Sequence, residues 1–256
     1  MPHPQKNSAN RQNPKPVPPD AVRVWRGFML PTLKPPVFLN LLGAIFIPVT
    51  AQLQSLYGLT AYLPTVLPTG KPKGVPDEIA LVFYETQKAY NDTLLSVAGR
   101  AYQRLHYAVF AFPPSLSGFP ELLGSTMLVD RPYYLFKKAV DWQQGYTKVF
   151  VGARPQDVTV QDFTVKLTNF MQKLQKRPAP GLDGVIVCVS TYYVVYWEHW
   201  NSEEESLQGS ISDLPKLATR VLLQSYVKEP VDPSLTDHYD GLSEVECKSF
   251  NVTWKG

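Results

Sequence analysis

IALVFYETQKAYNDTLLSVAGRAYQRLHYAVF, residues Ile79 to Phe110, reads as one strand running into one helix. Ile79, Leu81 and Phe83 alternate with Ala80, Val82 and Tyr84, so both faces of the strand are apolar or aromatic. A strand of that kind is covered on both sides. Glu85 and Thr86 end the apolar run. Tyr90, Leu94, Val97, Ala101, Leu105 and Ala108 then recur at helical spacing, with Lys88, Asp92, Arg100 and Arg104 on other faces.

Working toward the N-terminus, Leu59–Leu67 predicts a strand. Pro64 inside it implies an edge or a bulge, because proline cannot donate to a ladder. Val37–Tyr57 carries a helical pattern that Pro48 should kink near Ala44–Ile47. Val22–Met29 is a strand. Residues 1–20 hold almost no apolar side chains and read as a disordered, Pro-rich tail, with a PxxP-ligand role open around Pro16–Pro19. Beyond the opening stretch, Pro132–Phe136 predicts a fourth strand. The first half, residues 21–137, therefore reads β-α-β-β-α-β.

The second half, residues 147–232, repeats that order. Lys148–Ala153 is a strand. Thr159–Gln175 is an amphipathic helix with Thr159 and Asp162 as its capping pattern. Val185–Val189 and Tyr192–Trp200 are strands, Ser202 is a helix cap, and a helical segment opens at Pro215. Ser225–Val231 closes the unit. A C-terminal extension, residues 233–256, is polar except for an edge strand near 246–254.

Composition bounds the chemistry. The 256 residues hold 25 basic and 22 acidic side chains, a net charge of +3, and 44% apolar residues. No strong field points to nucleic acid, and the Lys173–Arg177 group reads as a solvated helix face. Two cysteines, Cys188 and Cys247, are too few for a disulfide framework or a zinc cage. Cys188 reads as an inert core thiol, and a single 188–247 bridge stays open. The most apolar run, Val37–Val49, contains Asn40 and Pro48 and is shorter than the ~20 residues of a membrane span. With no signal peptide visible, the expectation is a soluble, cytoplasmic chain that does not engage membranes.

Val82-Phe83-Tyr84-Glu85 can be laid over Val195-Tyr196-Trp197-Glu198: apolar, aromatic, aromatic, acid at a strand end, then a helix. The YWEHWNSEEE run, with Glu198, Trp200, Ser202 and Glu204, resembles the strand-Glu-x-Trp-x-Ser-x-Glu junction of antibiotic-biosynthesis-monooxygenase-like domains in the dimeric α+β barrel superfamily. The first half departs from it, with Gln87 where tryptophan would stand. The resemblance implies an α+β fold of two tandem ferredoxin-like units packed sheet to sheet as a single-chain barrel. It also implies a ligand cavity between a sheet and its helices.

Tyr102 and His106 lie four apart and share a helix face, so they are the candidate catalytic pair. Trp25, Tyr62 and Tyr84 lie on three neighbouring strands and, with Arg100, are the candidate ligand-binding residues for a flat, apolar or aromatic molecule. Helix-surface and core packing explain the same residues. Glu85 and Glu198 read as strand-end residues bonded to nearby backbone. Glu198 and His199 point to opposite faces and form no dyad. No metal-ligand spacing, Walker loop, GxGxxG or GxSxG is present, which disfavours metal, phosphoryl, dinucleotide and hydrolase chemistry. The reading is a small-molecule enzyme without a cofactor, an oxygenase, cyclase or isomerase of an aromatic or polyketide-like compound. It would act as a monomer or homodimer. A non-catalytic ligand-binding or protein-interaction module is the alternative. The catalytic rate is expected to follow His106 with a pKa near 6.5.

Overall fold

The computed structural model describes residues 16–142, 144–207, 214, 216–227 and 252–253. Two sheets pack face to face, and helices cover the outer side of each. The first sheet holds β1 (Val22–Gly27), β2 (Leu59–Val66), β3 (Glu78–Tyr84) and β4 (Leu116–Gly118). The second holds β5 (Glu121–Leu122), β6 (Pro132–Tyr134), β7 (Tyr146–Ala153), β8 (Leu182–Val189), β9 (Tyr193–Trp200) and β10 (Thr219–Val227). A two-residue strand, β11 (Val252–Thr253), pairs with β2.

The strand orders are β11-β2-β3-β1-β4 and β10-β7-β9-β8-β6-β5. The pairs β1–β3, β2–β3 and β1–β4 are antiparallel, as are β7–β9, β8–β9 and β7–β10. The fold is α+β, and four strands in each half run in the same relative order.

All seven residues of β3 are buried, as the two-sided apolar alternation requires. Val22, Val24, Ala61, Leu63, Ile79, Leu81 and Phe83 face the second sheet, where they meet Val149, Val151, Ile186, Val195 and Trp197. The opposite phase of the first sheet faces helices α1 (Pro35–Leu41), α2 (Ile47–Ser55), α3 (Gln87–Leu95) and α4 (Val97–Val109). Behind the second sheet, α5 (Val160–Lys176) packs Phe163, Leu167 and Met171 onto Phe150, Val187 and Tyr196. A single helical turn, α6 (Glu203–Ser206), follows β9.

Several local expectations meet the structure directly. Pro48 follows a π-helical turn, Leu42–Phe46, that joins α1 to α2. Proline removes one ladder bond, and a widened turn absorbs that loss without ending the helix. Thr159 caps α5 by accepting from the Asp162 amide, and Ser202 caps α6 by accepting from Glu205. Among the described residues, Pro64 lies on a strand whose outer neighbour is only the short β11.

Others are corrected. The predicted helix over Tyr90–Ala108 is two helices, because Ser96 ends α3 in an extended conformation and its hydroxyl caps α4 by accepting from Gly99. The apolar stripe read across that break does not hold: Leu94 and Val97 are exposed, whereas Thr93, Gly99 and Val109 are buried. Pro132–Tyr134 joins the second sheet beside β8, so the fourth strand of the first sheet is β4. Glu85 and Glu198 are not equivalent, since Glu85 is exposed past the end of β3 and Glu198 is fully buried within β9. The Glu198 carboxylate accepts from the Tyr196 hydroxyl at 2.9 Å.

The tail also differs from expectation. Val17 is buried between the sheets and exchanges two backbone hydrogen bonds with Val140. Residues 1–15, Cys247, Pro215 and most of the 233–256 extension lie outside the described residues. Among the described residues, no helix is long and apolar enough to cross a membrane.

Candidate functional site

A cavity with about 110 Å³ of free space lies between the helix-facing side of the first sheet and the helices above it. Strand periodicity builds its floor. Arg23 and Trp25 are two apart on β1, and Tyr62, Val82 and Tyr84 share their face on β2 and β3. Phe46 from the π-helical turn, Thr50 and Gln54 from α2, and Tyr102 and His106 from α4 form the roof. Tyr90 on α3 closes one side. Leu94, Tyr107 and Phe112 line the mouth and are partly solvent-exposed.

The rings are held by edge-to-face contacts. The His106 imidazole stands 4.8 Å from both Phe46 and Tyr102 and 5.4 Å from Trp25. Such packing fixes the ring's position through aromatic quadrupoles. Gly27 makes room for part of this cluster, because a Cβ there would stand 2.5 Å from Phe110 and 2.8 Å from the Trp25 indole nitrogen.

The polar groups are paired in order. Thr50 donates to the Phe46 carbonyl at 2.7 Å, so the 2.6 Å contact between Thr50 Oγ1 and the Tyr102 hydroxyl has tyrosine as donor. Tyr84 donates to Gln54 at 3.3 Å. His106 Nδ1 lies 3.2 Å from the Tyr102 carbonyl, an acceptor, so Nδ1 carries the proton and Nε2 is left as an acceptor. The Arg23 guanidinium donates to Ser117 and lies 4.2 Å over the Tyr90 ring.

One carboxyl stands directly behind this wall. Glu78 is fully buried at the start of β3 and accepts from Trp25 Nε1 at 2.9 Å and from the Tyr62 hydroxyl at 3.1 Å. Burial pushes its pKa up to about 8, against the lowering effect of those two bonds. Burial pushes the His106 imidazole down to about 4, opposed by its bond to the Tyr102 carbonyl and helped by Arg23. Burial likewise raises the phenols of Tyr62, Tyr84 and Tyr102. At neutral pH the site thus offers one imidazole acceptor and one guanidinium, with the Tyr62, Tyr84 and Tyr102 protons held by Glu78, Gln54 and Thr50.

Of the residues singled out from sequence, Trp25, Tyr62, Tyr84, Tyr102 and His106 are brought together at this cavity. Arg100 is not. It is exposed, and its guanidinium bonds the Leu95 carbonyl at 2.6 Å. Positions two apart on a helix lie on opposite sides, so Arg100 could not share the Tyr102 face. Arg23, Thr50, Gln54 and Glu78 were missed. Extending the β3 alternation back by one residue would have put Glu78 in phase with Ala80, Val82 and Tyr84, and Arg23 is in phase with Trp25. Thr50 and Gln54 sit one turn apart, but nothing local to the sequence aims them at Tyr102 and Tyr84.

The second half has polar pairs of a different kind. His199 Nδ1 lies 2.5 Å from Asp183, and its Nε2 donates to the Gln144 carbonyl at 2.7 Å. These tie β9 to β8 and to the segment between the halves. Cys188 is a free thiol, fully buried, and receives a hydrogen bond from Arg26 at 2.6 Å. Burial raises its pKa to about 11, so it stays protonated. Among the described residues no group of three or more His, Cys, Asp and Glu is arranged to hold a metal ion.

No family model matches the chain, and no curated protein matches it. Solved structures give weak likenesses. A putative monooxygenase from Lactobacillus acidophilus NCFM is 7% identical, with a TM-score of 0.37 over 84% of this chain and 100% of its own. A putative monooxygenase from Fusobacterium nucleatum is 6% identical, with a TM-score of 0.39 over 81% of this chain and 95% of its own. An anthrone oxidase-like protein is 10% identical, with a TM-score of 0.34 over 80% of this chain and 87% of its own. Likenesses this weak say nothing of this chain's activity.

Proposed function

We propose that the chain is a small-molecule enzyme that moves a proton on an aromatic or polyketide-like compound held in the cavity of its first half. The scaffold reading is two ferredoxin-like units, divided between about Lys137 and Tyr146, packed as a single-chain dimeric α+β barrel. The repeated strand order supports it. The observation that carries the functional reading is the convergence of a neutral imidazole, buried hydroxyls and one guanidinium on an aromatic-walled space. In this reading His106 Nε2 accepts a hydrogen bond or proton from the substrate. Tyr62 donates toward its oxygens once protonated Glu78 becomes the donor in their shared hydrogen bond, Tyr102 walls the site with its proton held by Thr50, and Arg23 offsets the negative charge that develops. A carbanion stabilised in that way is the common entry to cofactor-free oxygenation, cyclisation and isomerisation. The enzyme would work in the cytoplasm as a monomer or homodimer, and without a cofactor.

The experiment is a panel of one- to three-ring phenols and diketones, followed for C–H exchange in D₂O and for oxygen uptake. Catalysis that falls in His106→Ala, with the fold intact, is the expected result. Undiminished turnover in that variant removes His106 from the mechanism. Binding without catalysis favours the second reading, a ligand-binding module. One observation supports that alternative: the imidazole is pushed down to about 4 and is a weak base.

A further inference from the structure

Among the described residues, the lining of the cavity contains one side chain that carries a full charge at neutral pH. Arg23 is the cation, and among the described residues no Asp, Glu or Lys shares the wall with it. Its guanidinium is held from two sides by neutral groups, Ser117 on β4 and the Tyr90 ring on α3. Among the described residues these two partners leave several of its five N–H donors unspent. Its charge is felt across the cavity, where it lowers the proton affinity of Tyr84, Tyr90, Tyr102 and His106. The space is close in scale to a cavity of about 150 Å³ that takes a benzene ring.

From this cation in an aromatic wall, with no carboxylate partner among the described residues, we infer that the cavity selects a planar, single-ring aromatic monoanion, a ring bearing a carboxylate or phenolate oxygen directed at Arg23. The inference rests on the cavity being the ligand site proposed above. An aromatic body meets the faces and edges of Trp25, Phe46 and Tyr102, and the anionic oxygen neutralises the one fixed charge.

Glu78 makes the selection depend on pH. Its neighbours are Trp25 on β1, Tyr62 on β2 and the more distant Tyr102 on α4, while adjacent Asp77 is paired with Lys71. Below about pH 8 Glu78 is protonated, and the region keeps its net positive charge. Above it a second, negative charge stands behind Tyr62 and opposes a bound anion.

Benzoate and its neutral counterpart benzamide test this by isothermal titration calorimetry on the full chain. Benzoate is expected to bind about tenfold more tightly than benzamide at pH 6.5, the scale of one partly desolvated charge pair. That preference should disappear in Arg23→Gln and persist in Arg23→Lys. Benzoate affinity should fall between pH 7 and 9 in the parent protein and stay level in Glu78→Gln. Equal binding of the two probes, or a preference that survives Arg23→Gln, overturns the anion assignment and leaves the cavity as a ligand site. Binding of neither probe overturns the ligand-site reading itself.

Discussion

The Tyr62 hydroxyl donates to Glu78 Oε1 across 3.1 Å, from β2 to the neighbouring β3, and Trp25 Nε1 closes the other carboxyl oxygen from β1. Three strands thus hold one acid behind the cavity wall. Each neutral hydrogen bond contributes about 1 kcal/mol, whereas removing a carboxylate from water costs several times that. Burial therefore outweighs the two donors, and the acid is neutral at pH 7. A neutral acid can also donate to the Tyr62 oxygen, which reverses that bond and turns the Tyr62 proton toward the cavity it lines.

The stability of the fold should record this. The Glu78 pKa is raised from 4.5 to about 8, so the folded chain holds a proton that the unfolded chain releases between those values. Stability from this group is fully present below about pH 4.5 and is lost as the pH rises through 8. Each tenfold change in proton affinity is worth about 1.4 kcal/mol, so the loss amounts to several kcal/mol. Glu78→Gln cannot ionise. Its amide oxygen can still accept from Trp25, and its NH₂ can donate to Tyr62. The melting temperature of the variant should gain on the parent steadily from pH 5 to 8 and then level off. A difference that does not change with pH would mean that Glu78 ionises normally.

His106 gives the opposite sign. Its pKa is lowered from 6.5 to about 4, so the unfolded chain binds the proton that the folded chain refuses. The contribution is whole above about pH 6.5 and is lost as the pH falls through 4. The expectation of an imidazole titrating near 6.5 fails because α4 carries the ring into a closed aromatic cluster. Its C2 proton resonance should titrate with a midpoint near 4. His106→Phe should lose less stability than the parent between pH 7 and 4.5, by up to about 3 kcal/mol. A midpoint near 6.5 would place the ring in water.

The strands were readable because alternation repeats every two residues and β3 is apolar in both phases. That pattern also placed Trp25, Tyr62 and Tyr84 on neighbouring strands, and the structure puts all three on one face. The helix over the cavity was harder. Ser96 looks like any polar helix residue until its hydroxyl is seen capping α4. Glu78 was passed over because an acid beside Pro76 and Asp77 resembles a loop, and only its cross-strand partners reveal it as core. Arg23 was hidden in the same way, since the groups it faces are 67 residues away at Tyr90 and 94 at Ser117.

Val17 provides a test of the N-terminal segment. Its side chain is 5% exposed between the sheets, and Val140 both donates to and accepts from its backbone. Val17→Ala removes two methyl-sized groups and should cost about 1.5 kcal/mol at about 0.8 kcal/mol per group. Deleting residues 1–20 also removes two backbone bonds, at about 1 kcal/mol each, so its melting temperature should fall further than that of the point variant. An unchanged melting temperature on deletion would show that this segment does not dock.

The last prediction concerns the roof of the cavity. Tyr102 donates to Thr50 across 2.6 Å, and Thr50 passes its own proton to the Phe46 carbonyl at the end of the π-helical turn. The chain of bonds joins α4 to α2 through the buried Thr50 hydroxyl. Thr50→Val preserves shape but leaves a buried tyrosine donor without its acceptor, which costs about 1–3 kcal/mol. Tyr102→Phe removes the donor and leaves Thr50 still bonded to Phe46, so it should cost less, about 1 kcal/mol. The double variant should cost less than the two singles added together, by at least about 0.5 kcal/mol, since the second change removes a partner already lost. Urea unfolding of the four proteins measures each value. Strict additivity would mean that the two hydroxyls do not share a proton, and Tyr102 would then be free to serve a ligand alone.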